Sequence, residues 1–128
     1  MQPSIAIAIA VATGGALGAL SRYWLGAMMA ARYDGAWPLG TLLANLLGAF
    51  AIGLVFSLVY ERGVLDERFT PLLIAGFLGG LTTFSTFSLE TLSLLQRGEI
   101  ALALAYSLGS VILCVLLTYV GVLVARMV

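Results

Sequence analysis

The run Gly79-Gly80-Leu81-Thr82-Thr83-Phe84-Ser85-Thr86-Phe87-Ser88 sets five hydroxyls and two phenyl rings directly after a glycine pair, inside a stretch otherwise apolar enough for lipid. A helix interrupted there frees carbonyls at the end of its first half and N–H groups at the start of its second. That gives a cation site and an anion-attracting terminus at close quarters. A phenyl ring has a negative face and a positive edge, so rings whose edges line a narrow path solvate a small anion. Phenylalanine at membrane depth is ordinarily lipid-facing or core. Phe84 and Phe87 differ in following the break and in alternating with hydroxyls.

Other polar residues fall into helical stripes. Tyr106, Ser110, Cys114 and Thr118 recur at every fourth position, with Ser107 beside them, and Thr41 and Asn45 are one turn apart. Phe84, Phe87, Ser88, Glu90 and Thr91 define another face after the break. Single serines and threonines ordinarily satisfy themselves on the carbonyl one turn back. Asn45 has two N–H donors and an acceptor, too many for its own helix, so it either joins two helices or presents N–H to an anion. Glu90 costs about 2.5 to 3.5 kcal/mol at a bilayer centre, so it faces a pathway or a partner unless its side chain reaches the interface. Arg22, beside Tyr23 and Trp24, either snorkels within an aromatic belt or faces an aqueous vestibule and enriches anions there.

The elements that must position these groups are transmembrane helices. Of the 128 residues, 62% are hydrophobic and 9% charged, far from the composition of a soluble domain. Four stretches, at about 5–31, 37–60, 69–96 and 100–125, meet the requirement of roughly 20 mostly apolar residues per crossing. The expected fold class is therefore an all-α membrane protein, one four-helix domain over residues 1–128 with a broken third helix. The first helix is expected to be retained rather than cleaved, since a basic region is missing and the apolar run is too long for a signal peptide. All charges except Arg22 and Glu90 fall in the connections or at the C-terminus.

Six arginines balance six acids, and no lysine is present, so no polybasic patch is available for nucleic acid or anionic lipid. The single cysteine, Cys114, excludes a disulfide within the chain. Without histidine, and without an acid and base at a workable spacing, an enzyme is not expected. Arg62, Arg68 and Arg126 belong to one side of the membrane and Arg32 and Arg97, with or without Arg22, to the other. The positive-inside rule then fixes no orientation, which suits either noisy short loops or insertion both ways up as an antiparallel dimer. Close-packing pairs abound: Gly14 with Gly18, Ala44 with Gly48, Ala49 with Gly53, Gly76 with Gly80. Some are expected at a subunit interface, because four short helices do not easily shield a polar path from lipid.

The segments Gly76 to Phe87, Gly15-Ala16-Leu17-Gly18-Ala19-Leu20-Ser21-Arg22-Tyr23 and Gly40-Thr41-Leu42-Leu43-Ala44-Asn45-Leu46-Leu47-Gly48-Ala49-Phe50 together resemble the bacterial fluoride channel family called Fluc or CrcB. The likeness runs the length of the chain in order and spacing. It implies a dual-topology antiparallel homodimer in the bacterial inner membrane, with two fluoride pores and a structural sodium ion (Na+) at its centre that is not transported. By this resemblance the carbonyls of Gly79 and Thr82 hold the sodium, Phe84 and Phe87 are the pore rings and Asn45 the pore asparagine. Thr41, Glu90, Tyr106 and Ser110 match the family's polar track, and Arg22 its first-helix arginine, read here as a vestibule residue. Cys114 stands where a hydroxyl would continue the track better. The implied activity is passive, fluoride-selective export that lowers toxicity, with no protein partner beyond a second copy. The alternatives are a small dual-topology drug/proton antiporter, whose coupling acid belongs in the first helix where this chain has Arg22, and an assembly subunit of a membrane complex.

Overall fold

The computed structural model describes residues 4–128. Helix α1, Ile5–Arg32, begins where Ser4 accepts the Ile7 amide at 3.2 Å. Helix α2, Leu39–Phe56, follows Pro38 and runs on through a π-helical turn, Ser57–Glu61. The third crossing is two pieces. Its first half, α3, is a π-helical run Pro71–Leu78 continued by one α-helical turn, Gly79–Leu81; its second, α4, is Phe84–Gln96. Helix α5, Ile100–Arg126, completes four crossings long and apolar enough for a membrane, and no strand occurs among the described residues. Gly98 at φ 76° turns the chain between α4 and α5, a conformation that costs other residues a Cβ clash.

The observed ends differ from the sequence expectation by one or two residues, with the third crossing entered through a 3₁₀ turn at Glu67–Phe69. The π-helical stretches carried no signal in the sequence, because one extra residue per turn looks like an ordinary apolar run.

Two glycine seams hold the helices together. A Cβ on Gly14 would strike the Leu72 carbonyl and one on Gly18 the Phe77 carbonyl, so α1 and α3 touch backbone to backbone. Gly76 and Gly80 face back onto Gly14 and Gly15 across the same seam. On the other side Gly53 lies on the Thr118 carbonyl and Gly121 on that of Phe50, which seats α2 on α5. Without water between helices to drive apolar association, such close approach is what membrane helices use instead. All four small-residue pairs are thus engaged inside one chain: Ala44 is fully buried with Leu78 and Leu81, and Gly48 abuts Thr82. Gly48 and Ala49 also border an open groove. The side chains turned outward, such as Leu17, Leu47, Ile112 and Val115, are apolar and suit lipid.

Candidate functional site

The third crossing breaks at Thr82 and Thr83, whose φ and ψ are −85°, 155° and −151°, 124°, both extended. Thr83 then caps α4, its hydroxyl accepting the Thr86 amide at 3.2 Å. Two other helices hold the break. Asn45 of α2 clamps the Thr83 backbone from both sides, accepting its N–H at 2.8 Å and donating Nδ2 to its carbonyl at 3.1 Å. Arg22 of α1 donates Nε to the Gly80 carbonyl at 3.1 Å. The neighbouring Tyr23 and Trp24 are 69% and 62% exposed, on the lipid side. Arg22 therefore reaches inward to the break while its aromatic neighbours turn outward.

Below the break lies a groove of about 490 Å³. Asn45, Thr82, Thr83, Phe84 and Phe87 line one wall and Ser110, Cys114 and Thr118 of α5 the other. Three residues of the stripe read on α5 form this wall, while Tyr106 turns to Glu90. Phe84 and Phe87 lie 5.4 Å apart at 43°, and Phe87 meets Tyr106 at 5.3 Å and 48°. These tilted contacts join Phe84, Phe87 and Tyr106 into one aromatic cluster.

Most hydroxyls follow the ordinary rule. Thr13, Ser21, Thr82, Ser88, Thr91 and Ser93 each donate to the carbonyl one turn back. Ser88 and Thr91 on the α4 face thus have their protons engaged within their own helix. Thr118 splits its proton between its own helix at Cys114 and Ala49 of α2. Ser110 is the exception. Its residue is 6% exposed, it borders the groove, and its hydroxyl has no hydrogen-bond partner among the described residues. Leaving a buried hydroxyl unpaired costs about 1 to 3 kcal/mol, which sets Ser110 apart from the other hydroxyls.

Glu90 is the second centre. Its two carboxylate oxygens accept the hydroxyls of Thr41 and Tyr106, each at 2.7 Å. Tyr106 is 1% exposed and packs with Leu94 and Ala103. Three helices thus converge on one carboxylate. On its far side a second cavity, about 310 Å³, opens toward the α1–α2 connection between Tyr33 and Trp37. Phe87 lines the groove and meets Tyr106, Tyr106 bonds Glu90, and Glu90 lines the outer cavity. That cavity was invisible to spacing rules, because loop and helix meet there only in the fold.

The carbonyls of Gly79 and Thr82 lie at the end of α3, and neither takes a side-chain hydrogen bond among the described residues, whereas Gly80 and Thr83 are occupied by Arg22 and Asn45. No cluster of three acidic, histidine or cysteine ligands occurs among the described residues, so backbone oxygen is the donor set on offer. Oxygens of this kind are the ligands hard cations take.

Fold and site together define a small multi-pass membrane protein, built around a broken helix that borders a groove lined by phenyl rings and hydroxyls. The model of the CrcB-like protein, Camphor Resistance (CrcB) family matches residues 9–122, and the chain belongs to that family. A protein of Magnetococcus marinus named "Fluoride-specific ion channel FluC" is 51% identical over 118 residues, covering 92% of this chain and 96% of the relative. Proteins of the same name from Paracoccus denitrificans and Aquifex aeolicus are 47% and 43% identical, covering 91% and 90% of this chain and 91% and 93% of theirs. The chain is thus a bacterial-type multi-pass membrane protein, as its composition required.

Proposed function

We propose that this protein is a fluoride-selective channel, not an enzyme, which lets fluoride leave the cell down its gradient. The names of its relatives support the ion; the groove that gathers Asn45, Phe84, Phe87 and the unpartnered Ser110 is the observation that carries the path. Fluoride is small and tightly hydrated, so a path must replace its water with donors in a constriction too narrow for larger halides. Ser110 offers an O–H with no competing acceptor, Asn45 keeps one Nδ2 proton beyond the one given to Thr83, and the phenyl edges complete the shell. Thr41, Glu90 and Tyr106 continue the track toward the outer cavity, and Arg22, fixed at the break, contributes positive charge beside it. Undissociated hydrogen fluoride enters from acid surroundings, ionises inside, and the anion leaves without energy input.

The working form is an antiparallel homodimer with two pores. The even split of arginines supports insertion both ways up, and the groove with its largely exposed Phe84 supports a second copy as the missing wall. Gly79 and Thr82 would hold a structural sodium ion, completed by the same two carbonyls of the second copy. Sodium there would supply fixed positive charge and tie the two breaks together.

Fluoride and chloride efflux from liposomes containing the purified protein tests the proposal, with Phe84→Ile and Phe87→Ile alongside. Fluoride release without chloride release, abolished by either substitution, is expected. A folded dimer in sodium that releases no fluoride would return the antiporter and assembly readings to the front.

A further inference from the structure

The outer cavity holds a combination that an anion path does not need. Its floor is the Glu90 carboxylate, whose two oxygens each accept one hydroxyl and so retain lone pairs. Its rim is aromatic: Tyr33 and Trp37 of the α1–α2 connection line the opening, with Met29 and Pro38 between them. The Tyr33 ring folds back over Gly35, where a Cβ would strike the phenol, so it stays at the opening rather than pointing away. The end of α1 and the start of α2 meet at this cavity with opposite partial charges that offset, which leaves Glu90 as the formal charge the cavity reaches. Arg32 and Asp34, flanking Tyr33, also balance.

A carboxylate and two electron-rich rings lining one cavity are the recognition chemistry of an organic ammonium ion. The rings attract the cation through their faces, the carboxylate supplies the counter-charge, and an alkylated nitrogen is dehydrated more readily than a metal ion. The volume, about 310 Å³, is at the small end of ligand sites. We propose that this cavity is a binding site for small alkylammonium cations, with Glu90 as the counter-ion and Tyr33 and Trp37 as the aromatic walls. Because Glu90 also belongs to the track assigned above, an occupant closes the mouth of that path; this consequence alone rests on the channel reading.

The probe is tetramethylammonium chloride. Trp37 reports directly once Trp24, the other tryptophan, is replaced by phenylalanine on its lipid-facing site. Titration of Trp24→Phe protein in detergent is expected to change Trp37 emission with saturation in the millimolar range, while sodium chloride at equal ionic strength does not. Tyr33→Leu is expected to weaken binding about fivefold, the loss of one ring at about 1 kcal/mol, and Glu90→Gln to weaken it further. Tyr33 sits on a connection and is 39% exposed, so its variant folds even if the Glu90 variant does not. No saturable change up to 100 mM overturns the proposal, as does a change matched by sodium or one left intact by Tyr33→Leu. The emission assay needs no ion flux, so a protein that binds tetramethylammonium yet passes no fluoride would refute the channel and leave the site standing.

Discussion

Asn45→Ala should be the most informative single change in the molecule, because one side chain carries both backbone groups of Thr83. Removing it strips the Thr83 N–H of its acceptor at 2.8 Å and the Thr83 carbonyl of its donor at 3.1 Å. Thr83 is extended and cannot rejoin a helix without abolishing the cap that starts α4. Each backbone group left unpaired in a poorly hydrated place costs about 1 to 3 kcal/mol. The groove beside Thr83 admits some water, which favours the lower half of that range, so the sum comes to about 2 to 4 kcal/mol. Unfolding in mixed micelles, followed by tryptophan emission, measures the loss, and hydrogen exchange at the Thr83 amide locates it. Asn45→Asp separates the two halves of the clamp, since a carboxylate still accepts the N–H but meets the carbonyl with like charge. It should exchange more slowly than Asn45→Ala at Thr83 yet conduct no better. If Asn45→Ala unfolds within 0.5 kcal/mol of the parent and leaves Thr83 protected, the break is held by something else and this account of it fails.

Ser110→Ala removes a buried hydroxyl that nothing satisfies, so it should leave stability unchanged or raise it by up to about 1 kcal/mol while lowering fluoride efflux; a destabilised variant with normal flux would make Ser110 a packing residue. Tyr106→Phe keeps the ring against Phe87 but removes one donor from Glu90, and should cost about 1.5 to 3 kcal/mol in unfolding experiments, the range for a hydrogen bond to a charged group. Gly18→Ala forces a methyl into the Phe77 carbonyl and should destabilise by about 1 to 3 kcal/mol, whereas Gly109→Ala, with open space at its Cβ, should be neutral or slightly stabilising by the same assay. Arg126→Met removes the paired contacts to Glu61 at 2.7 and 2.9 Å, and its effect on thermal unfolding should shrink in high salt, because the pair is exposed.

Much of the architecture was legible because a bilayer leaves few choices. Four apolar stretches separated by charged connections admit only four helices, and a glycine pair followed by hydroxyls marks the one place where the backbone leaves the ladder. The fourfold stripe of Ser110, Cys114 and Thr118 was legible for a similar reason, since a helix turns spacing into a face. What stayed hidden depends on which helix sits beside which. Nothing local to Arg22 shows that it reaches Gly80, 58 residues away, and nothing local to Glu61 shows Arg126, 65 residues away. Glu90 was recognised as needing a partner, but Thr41 and Tyr106 became that partner only through the packing of α2 and α5 on α4. The glycine pairs have a limit of another kind: the motif identifies a tight contact without saying which surface it meets, and only the fold shows Gly14 and Gly18 set against Leu72 and Phe77.

The two side chains that hold the broken helix both precede it in the sequence, Arg22 on α1 and Asn45 on α2. A ribosome delivers this chain N-terminus first, so both donors are already in the membrane when the third crossing arrives. An interrupted helix entering lipid alone would expose bare carbonyls and amides at several kcal/mol each. The supports of the break thus lie in the part of the chain made first, and a permuted chain that began at Pro71 would present the break to lipid before its supports exist.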